Sequence, residues 1–201
     1  MAHPRTGLGD TSTGFQPLLE SRKRTALLGL AFLALLLLSS YENTVFFNLL
    51  LRDILQNQFL AVGMLFLHNV LVVSLILLGV SFYVSLVNAG FFKREKYSNI
   101  VLEHPQTFAL TFTLVVVFIS ILRGCTLIYG GVSLEALPTI LLISTPVGIV
   151  EGYGIYITIK KTLSQTLKTL DLAFIYGVFL VAAIMEVAFI NILITVLKLA
   201  A

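Results

Sequence analysis

Residues 145–154 read Thr-Pro-Val-Gly-Ile-Val-Glu-Gly-Tyr-Gly, and they sit inside a long apolar run. A proline, three glycines and a glutamate are unexpected where a chain crosses a bilayer. Pro146 has no N–H to give to the carbonyl of Leu142, so the sequence predicts a kink or break at this point. Thr145-Pro146 also has the form of an N-cap followed by a first helical residue. A helix restarting there would aim its N-terminal dipole at Gly148 and Glu151. Gly148 and Gly152 make a small-xxx-small pair that admits a second backbone, and Gly148, Glu151, Gly154 and Thr158 are expected on one face. Inside a membrane such a segment is stable only against protein or a wet cavity.

The rest of the chain places this stretch in a membrane protein. Of 201 residues, 58% are apolar and only 11% charged, against near 45–50% and about 25% in soluble domains. No polar stretch is long enough to bury a core of its own. A spanning helix needs roughly 20 apolar residues. Five segments qualify, at about 25–41, 62–91, 107–129, 138–160 and 171–198. The first follows Arg22-Lys23-Arg24 and reads as a retained anchor, because its polar leader is long for a signal peptide. Residues 1–21 read as a cytoplasmic tail, rich in Gly, Thr and Pro, and residues 22–201 as one transmembrane domain.

Charge sets the expected orientation. With the N-terminus inside, the inner segments hold Arg5, Arg22, Lys23, Arg24, Lys93, Arg94, Lys96, Lys160, Lys161 and Lys168. Only Arg52, Arg123 and Lys198 of the 13 Lys and Arg fall outside. The sequence therefore predicts an all-α polytopic bundle of five spans, N-in and C-out, with a proline-broken fourth span. The net charge of +3 needs no nucleic acid, because its excess lies at inner helix ends beside anionic headgroups. Residues 42–59 alternate polar Asn48, Arg52 and Gln56 with apolar Phe47, Leu51 and Ile54. They read either as an amphipathic helix in the outer interface or as a loop covering the bundle. His104-Pro105 is expected to end the inner loop before the third span.

Several polar residues fall at membrane depth. Ser74, Ser81, Ser85 and Asn88 share one face of the second span, as a packing seam or as a solute path. His68 and Asn69 lie toward its outer end. Glu186 lies near the middle of the fifth span, where an ionised side chain costs roughly 2.5–3.5 kcal/mol. It must face inward, be protonated, or be paired. Arg123 falls at a similar depth by residue count; it either pairs with Glu186 or snorkels to the outer headgroups. A single cysteine, Cys125, offers neither a disulfide nor a metal-ligand set, and neither a phosphate-binding loop nor a G-x-S-x-G motif occurs. The sequence thus calls for no metal and no cofactor.

These residues resemble the stage II sporulation protein M family of multi-span bacterial and archaeal membrane proteins. The matching positions are His68-Asn69, Asn88-Ala89-Gly90, and Pro146, Gly148 and Glu151 with Ile149 between, within residues 60–165. The chain departs from the family pattern in having His68 before Asn69, Ala89 between Asn88 and Gly90, and Val147 after Pro146. The resemblance implies a helical core in a prokaryotic cell membrane that binds other membrane proteins. The expected function is that of a non-enzymatic scaffold or partner subunit of a membrane complex, with self-association as a homo-oligomer such as a dimer. The alternative is a small transporter or permease component with its site at the fourth span. An intramembrane enzyme would need Glu151 and Glu186 to pair, and their depths differ. The candidate functional residues are His68, Asn69, Asn88, Arg123, Pro146, Gly148, Glu151 and Glu186.

Overall fold

The computed structural model describes the backbone of residues 15–50, 57–91, 100–129 and 137–200. Among these residues the fold is all-α. The helices are α1 (Phe15–Leu50), α2 (Gln58–Asn88), a short α3 (Ile100–Glu103), α4 (Pro105–Tyr129), α5 (Leu137–Leu163) and α6 (Thr169–Ala200). The five long ones coincide with the five apolar segments. Four contain stretches long and apolar enough to cross a membrane: Lys23–Glu42, Gln58–Asn88, Pro105–Leu122 and Thr169–Ile192. These fit a membrane-inserted protein. Helix α5 is 27 residues long but carries Glu151, Lys160 and Lys161 in its C-terminal half.

Helices α2, α5 and α6 pack mutually at the centre, with α1 laid on α2 and α4 on α5. The largest core cluster joins Val73 and Val84 of α2, Ala109 of α4, Ile155, Ile159 and Leu163 of α5, and Ile175 and Phe179 of α6. A second joins Ala61 and Leu65 of α2 to Ala183 and Val187 of α6. Branched aliphatics fill the centre and glycines set the closest approaches. A Cβ on Gly29 of α1 would lie 2.9 Å from the ring of Phe82, and one on Gly79 of α2 would lie 3.0 Å from the ring of Phe32. The two rings stack with centroids 6.4 Å apart. Each helix thus offers a glycine to the other's phenylalanine, one turn apart. These contacts make α1 antiparallel to α2. In the same way Gly148 and Gly152 against Val117 and Thr113 make α4 antiparallel to α5, and Gly154 against Phe179 together with Lys161 against Asp171 makes α5 antiparallel to α6. The chain therefore reverses direction at each successive long helix.

Helix ends follow local chemistry. Asn57 caps α2, its side chain accepting from the Leu60 N–H at 3.3 Å. Helix α2 closes in a Schellman turn: Gly90 has φ 73°, its N–H donates to Val87, and the Phe91 N–H donates to Leu86. Helix α5 closes in the same way, with Gln165 at φ 54° and Thr166 N–H donating to Lys161. Asp171 then starts α6 by accepting from the Lys168 N–H at 3.0 Å, while its other oxygen takes Lys161 Nζ at 2.6 Å. Pro105, just after His104, opens α4, where a missing N–H costs nothing.

Two expectations are corrected. Helix α1 starts at Phe15, inside the segment read as the tail; Pro17 lies in its first turn, and the Leu, Glu, Lys and Arg that follow are good helix formers. Residues 1–14 lie outside the described residues. A separate interfacial helix was expected over 42–59, but residues 42–50 continue α1, because no Gly or Pro interrupts Ser39 to Leu50. Residues 51–56 of that segment lie outside the described residues, and α2 begins at Gln58. A kink or break was expected at Pro146; α5 continues as one helix through it, so the break does not occur. Thr145 does not cap a new helix: its hydroxyl donates backward to the carbonyl of Leu141. Proline removes a single donor from the ladder, and helices packed around it tolerate that loss.

Candidate functional site

About three turns into α2, residues 68 and 69 reach both α1 and α5. His68 and Asn69 are neighbours in sequence, so their side chains leave the helix about 100° apart. One reaches α1 and the other reaches α5. His68 Nδ1 lies 2.9 Å from Glu42 Oε2 of α1. Asn69 Nδ2 donates to Glu151 Oε1 of α5 at 3.2 Å. His68 and Asn69 are both buried, at 9% and 8% exposure. Two carboxyl groups and an imidazole are thus held inside an apolar bundle by one dipeptide. By helix rise, Glu151 lies about 18 Å from the C-terminal end of α5. That places the group well inside the bundle rather than at its rim.

The physical content of the arrangement is cross-linking. The Asn69 amide donates to a carboxylate oxygen, a charge-assisted geometry that grows stronger out of water. Lower down, Ser74 Oγ and Tyr176 Oη stand 3.5 Å apart and link α2 to α6. Thr158 and Thr162 are buried but donate back to Gly154 and Thr158 carbonyls of their own helix, so they need no outside partner. Among the described residues, two buried oxygens have no hydrogen-bond partner: Glu42 Oε1 and Thr113 Oγ1. Among the described residues no three His, Cys, Asp or Glu side chains gather as a metal site.

The other candidates separate from this group. Gly148 and Gly152 do admit a neighbour, as their spacing implied, and the neighbour is α4; Cβ atoms there would meet Val117 and Thr113 at 3.2–3.5 Å. The expected common face of Gly148, Glu151, Gly154 and Thr158 is divided, however. Gly148 turns to α4, Glu151 to α2, and Gly154 to Phe179 of α6. The reason is that α5 is surrounded on three sides, so residues within one broad stripe meet different helices. Pro146 is half-buried within α5. Asn88 is exposed in the last turn of α2, about 28 Å from Asn69 along the helix, where it precedes the Schellman turn. Glu186 is half-buried on α6, next to Val187, which packs on the level of Ala61 and Leu65. The side chain of Arg123 lies outside the described residues, so its pairing with Glu186 is not placed. Of the serine face, Ser74 Oγ lies 3.5 Å from Tyr176 Oη of α6.

Glu42 is the residue that sequence reasoning missed. It was assigned to the interfacial segment, because it follows the apolar run of the first span. A signal was nonetheless present. The pairs Gly29/Phe82, Phe32/Gly79 and Glu42/His68 are all centred on residues 55 and 56 of the sequence. An antiparallel hairpin registered by its Gly and Phe positions puts Glu42 opposite His68.

The chain matches no family model, no curated protein and no solved structure.

Proposed function

We propose that the chain is a non-enzymatic integral membrane protein with five crossings, N-in and C-out, that acts as a scaffold or partner subunit of a membrane complex, in the manner of the stage II sporulation protein M family it resembles. The observation that carries this reading is the Asn69–Glu151 hydrogen bond. The resemblance singles out these two positions, 82 residues apart in the chain, and the fold brings their side chains together at the centre of the bundle. The fifth crossing is supported by the place of α5, which lies among α2, α4 and α6 and alternates in direction with α4 and α6. Lys23, Arg24, Lys160, Lys161 and Lys168 fall at one end of the bundle, which supports an inner position for that end. A bacterial or archaeal cell membrane is the location this reading implies.

The deciding experiment is purification of the protein from its native membrane in mild detergent. A stoichiometric companion protein is the expected result; a chain that comes out alone refutes the partner-subunit reading. The second reading, a small transporter or permease component, is favoured by one observation. Glu42, His68 and Glu151 bring ionisable groups into the interior of the bundle. It expects Glu151→Gln to abolish a pH-dependent flux in proteoliposomes while the protein still folds. The scaffold reading expects the same change to lower yield or melting temperature, with no flux to lose.

A further inference from the structure

Ile149, Tyr153, Tyr156 and Lys160 share one face of α5, because offsets of four, three and four return to nearly the same angle. Leu170, Phe174, Val181 and Ile184 share one face of α6 for the same reason. The two faces adjoin: the rings of Tyr153 and Phe174 meet edge to face with centroids 6.5 Å apart. Both rings are turned outward, at 52% and 53% exposure, and Leu170 is 83% exposed. This outer side of the α5–α6 pair is apolar over most of its length and basic at one end. Lys160 Nζ stands 5.6 Å from the centroid of the Tyr156 ring, a cation steadied by an aromatic face. Lys160 lies seven residues beyond Tyr153, and Lys168 six residues before Phe174. Both lysines therefore stand about 9–11 Å from the Tyr153–Phe174 contact, at one level.

That corner keeps a surplus of positive charge. Its carboxylate, Asp171, has both oxygens engaged: Oδ1 takes Lys161 Nζ at 2.6 Å and Oδ2 takes the Lys168 N–H at 3.0 Å. Three lysines against one aspartate leave a net charge of +2. Among the described residues, the side chains of Lys160 and Lys168 make no ion pair. The other acid at this end among the described residues is Glu103, on the short α3 beside α4, while Lys23 and Arg24 of α1 add positive charge. A surface that is cationic at one end and apolar below fits a molecule of the complementary build. The depth fits as well. Ile149 lies about 16 Å from Lys160 along α5, roughly half of a hydrocarbon core about 30 Å thick. That is the reach of one leaflet.

We propose that the outer side of the α5–α6 pair binds one anionic phospholipid, with its phosphate facing Lys160 and Lys168 and an acyl chain along the Tyr153–Phe174 seam. Each ammonium group offers three donors to phosphate oxygens, in charge-assisted hydrogen bonds. A zwitterionic lipid brings a cation of its own to a corner that is already positive, so it fits less well. This inference rests on the membrane reading of the chain. It does not rest on the partner-subunit reading, which stands or falls on the companion protein.

The test uses the full chain in lipid nanodiscs. The sequence contains no tryptophan, so Tyr153→Trp places a single fluorophore at the seam, and bromine on an acyl chain quenches it on contact. The probes are brominated phosphatidylglycerol and brominated phosphatidylcholine, each titrated into unbrominated phosphatidylcholine. The expected result is equal quenching by phosphatidylglycerol at about a fivefold lower mole fraction, the preference that one lysine at the membrane surface supplies. Lys160→Gln with Lys168→Gln should bring the two lipids level, and Lys160→Arg should keep the preference. Phe112→Trp, in a chain otherwise unsubstituted, is the reference. Phe112 is exposed on α4 beside Thr113, which meets Gly152, so this tryptophan sits at the depth of Tyr153 and should not distinguish the lipids. A Phe112→Trp chain that neither lipid quenches would refute the membrane reading and the lipid site with it. Quenching there, with no preference at Tyr153→Trp, would overturn the lipid site alone. Quenching there and none at Tyr153→Trp would show the seam covered by protein, and soluble glycerol phosphate restoring the fluorescence would show a phosphate site without an acyl seat; each overturns the proposal. Should Tyr153→Trp not fold, native mass spectrometry of the unsubstituted chain with the same two lipids gives a second measurement. One phosphatidylglycerol retained per chain is expected, and retention that Lys160→Gln with Lys168→Gln leaves unchanged would overturn the proposal.

Discussion

Gly154→Ala tests how tightly the centre of the bundle is built. The added methyl would lie 2.6 Å from Cε2 and 2.9 Å from Cζ of Phe179. Carbon atoms pack at about 3.5–4.0 Å, so the ring must retreat by about 1 Å. Phe179 is 2% exposed and packed with Ile155, Ile159 and Ile175, so it has nowhere to go without displacing α6. Overpacking of this kind costs about 1–3 kcal/mol. Alanine in a helix returns up to about 1 kcal/mol over glycine, which would mask part of the effect. Gly63→Ala and Gly177→Ala correct for that gain, because a Cβ at either position meets nothing within 4 Å. The difference between Gly154→Ala and these two controls is the steric term alone. For a chain of this size it corresponds to about 2–4 °C of melting temperature per kcal/mol. Unfolding in mixed micelles by heat or by denaturing detergent gives the reading. Phe179→Leu in the Gly154→Ala background should recover part of the loss, with a coupling that neither single change shows. If Gly154→Ala melts with Gly177→Ala, or if the cycle shows no coupling, the α5–α6 contact is not as described.

Three further outcomes are expected. Gly29→Ala and Gly79→Ala should each cost about 1 kcal/mol, less than Gly154→Ala, because the rings they meet are partly exposed and can shift; equal losses in separate melts would confirm the reciprocal contact, and a loss at one position only would refute it. Gln165→Gly should raise stability by about 1 kcal/mol and Gly90→Ala should lower it by a similar amount, since both residues hold positive φ at a helix end; opposite signs in melting temperature check this pair. Asn69→Ala should cost about 1–3 kcal/mol by removing the hydrogen bond that Asn69 gives Glu151, whereas Asn69→Leu with Glu151→Leu should recover part of the loss. No recovery in the double variant would show that the two residues act through other contacts.

The five long helices were legible because each apolar run approaches or exceeds the length needed to cross a bilayer. Three features were not. The continuity of α5 through Pro146 depends on the neighbouring helices that steady it, and a rule written for one isolated helix cannot include them. The extension of α1 to Leu50 was hidden by a polar stretch whose periodicity fits an interfacial helix as well as a prolonged span. Glu42 found its partner only through the register of α1 against α2, a tertiary fact. Asn69 and Glu151 meet across 82 residues of sequence, likewise a tertiary fact, whereas Asn88 lies in the last turn of α2.

Helix α5 packs against three long helices, as α2 does, and it carries Glu151 near its middle and Lys160 and Lys161 at its end; its packing bears on that charge. A hydropathy window judges each helix as though lipid surrounded it on every side. Helix α1, against α2, meets that condition closely, and its Lys23–Glu42 stretch is a run of leucines with large exposed surfaces. Helix α5 faces α2, α4 and α6, so little of its surface needs to be apolar for the sake of lipid. It can hold three glycines for close approach, a proline without an exposed gap in the ladder, and a carboxylate that a neighbour's amide receives. The charge that makes α5 the least apolar of the long spans by sequence is therefore what its central position permits. A substitution that turned Glu151 toward lipid would remove that permission, so the side facing α2 is where this chain is least free to vary.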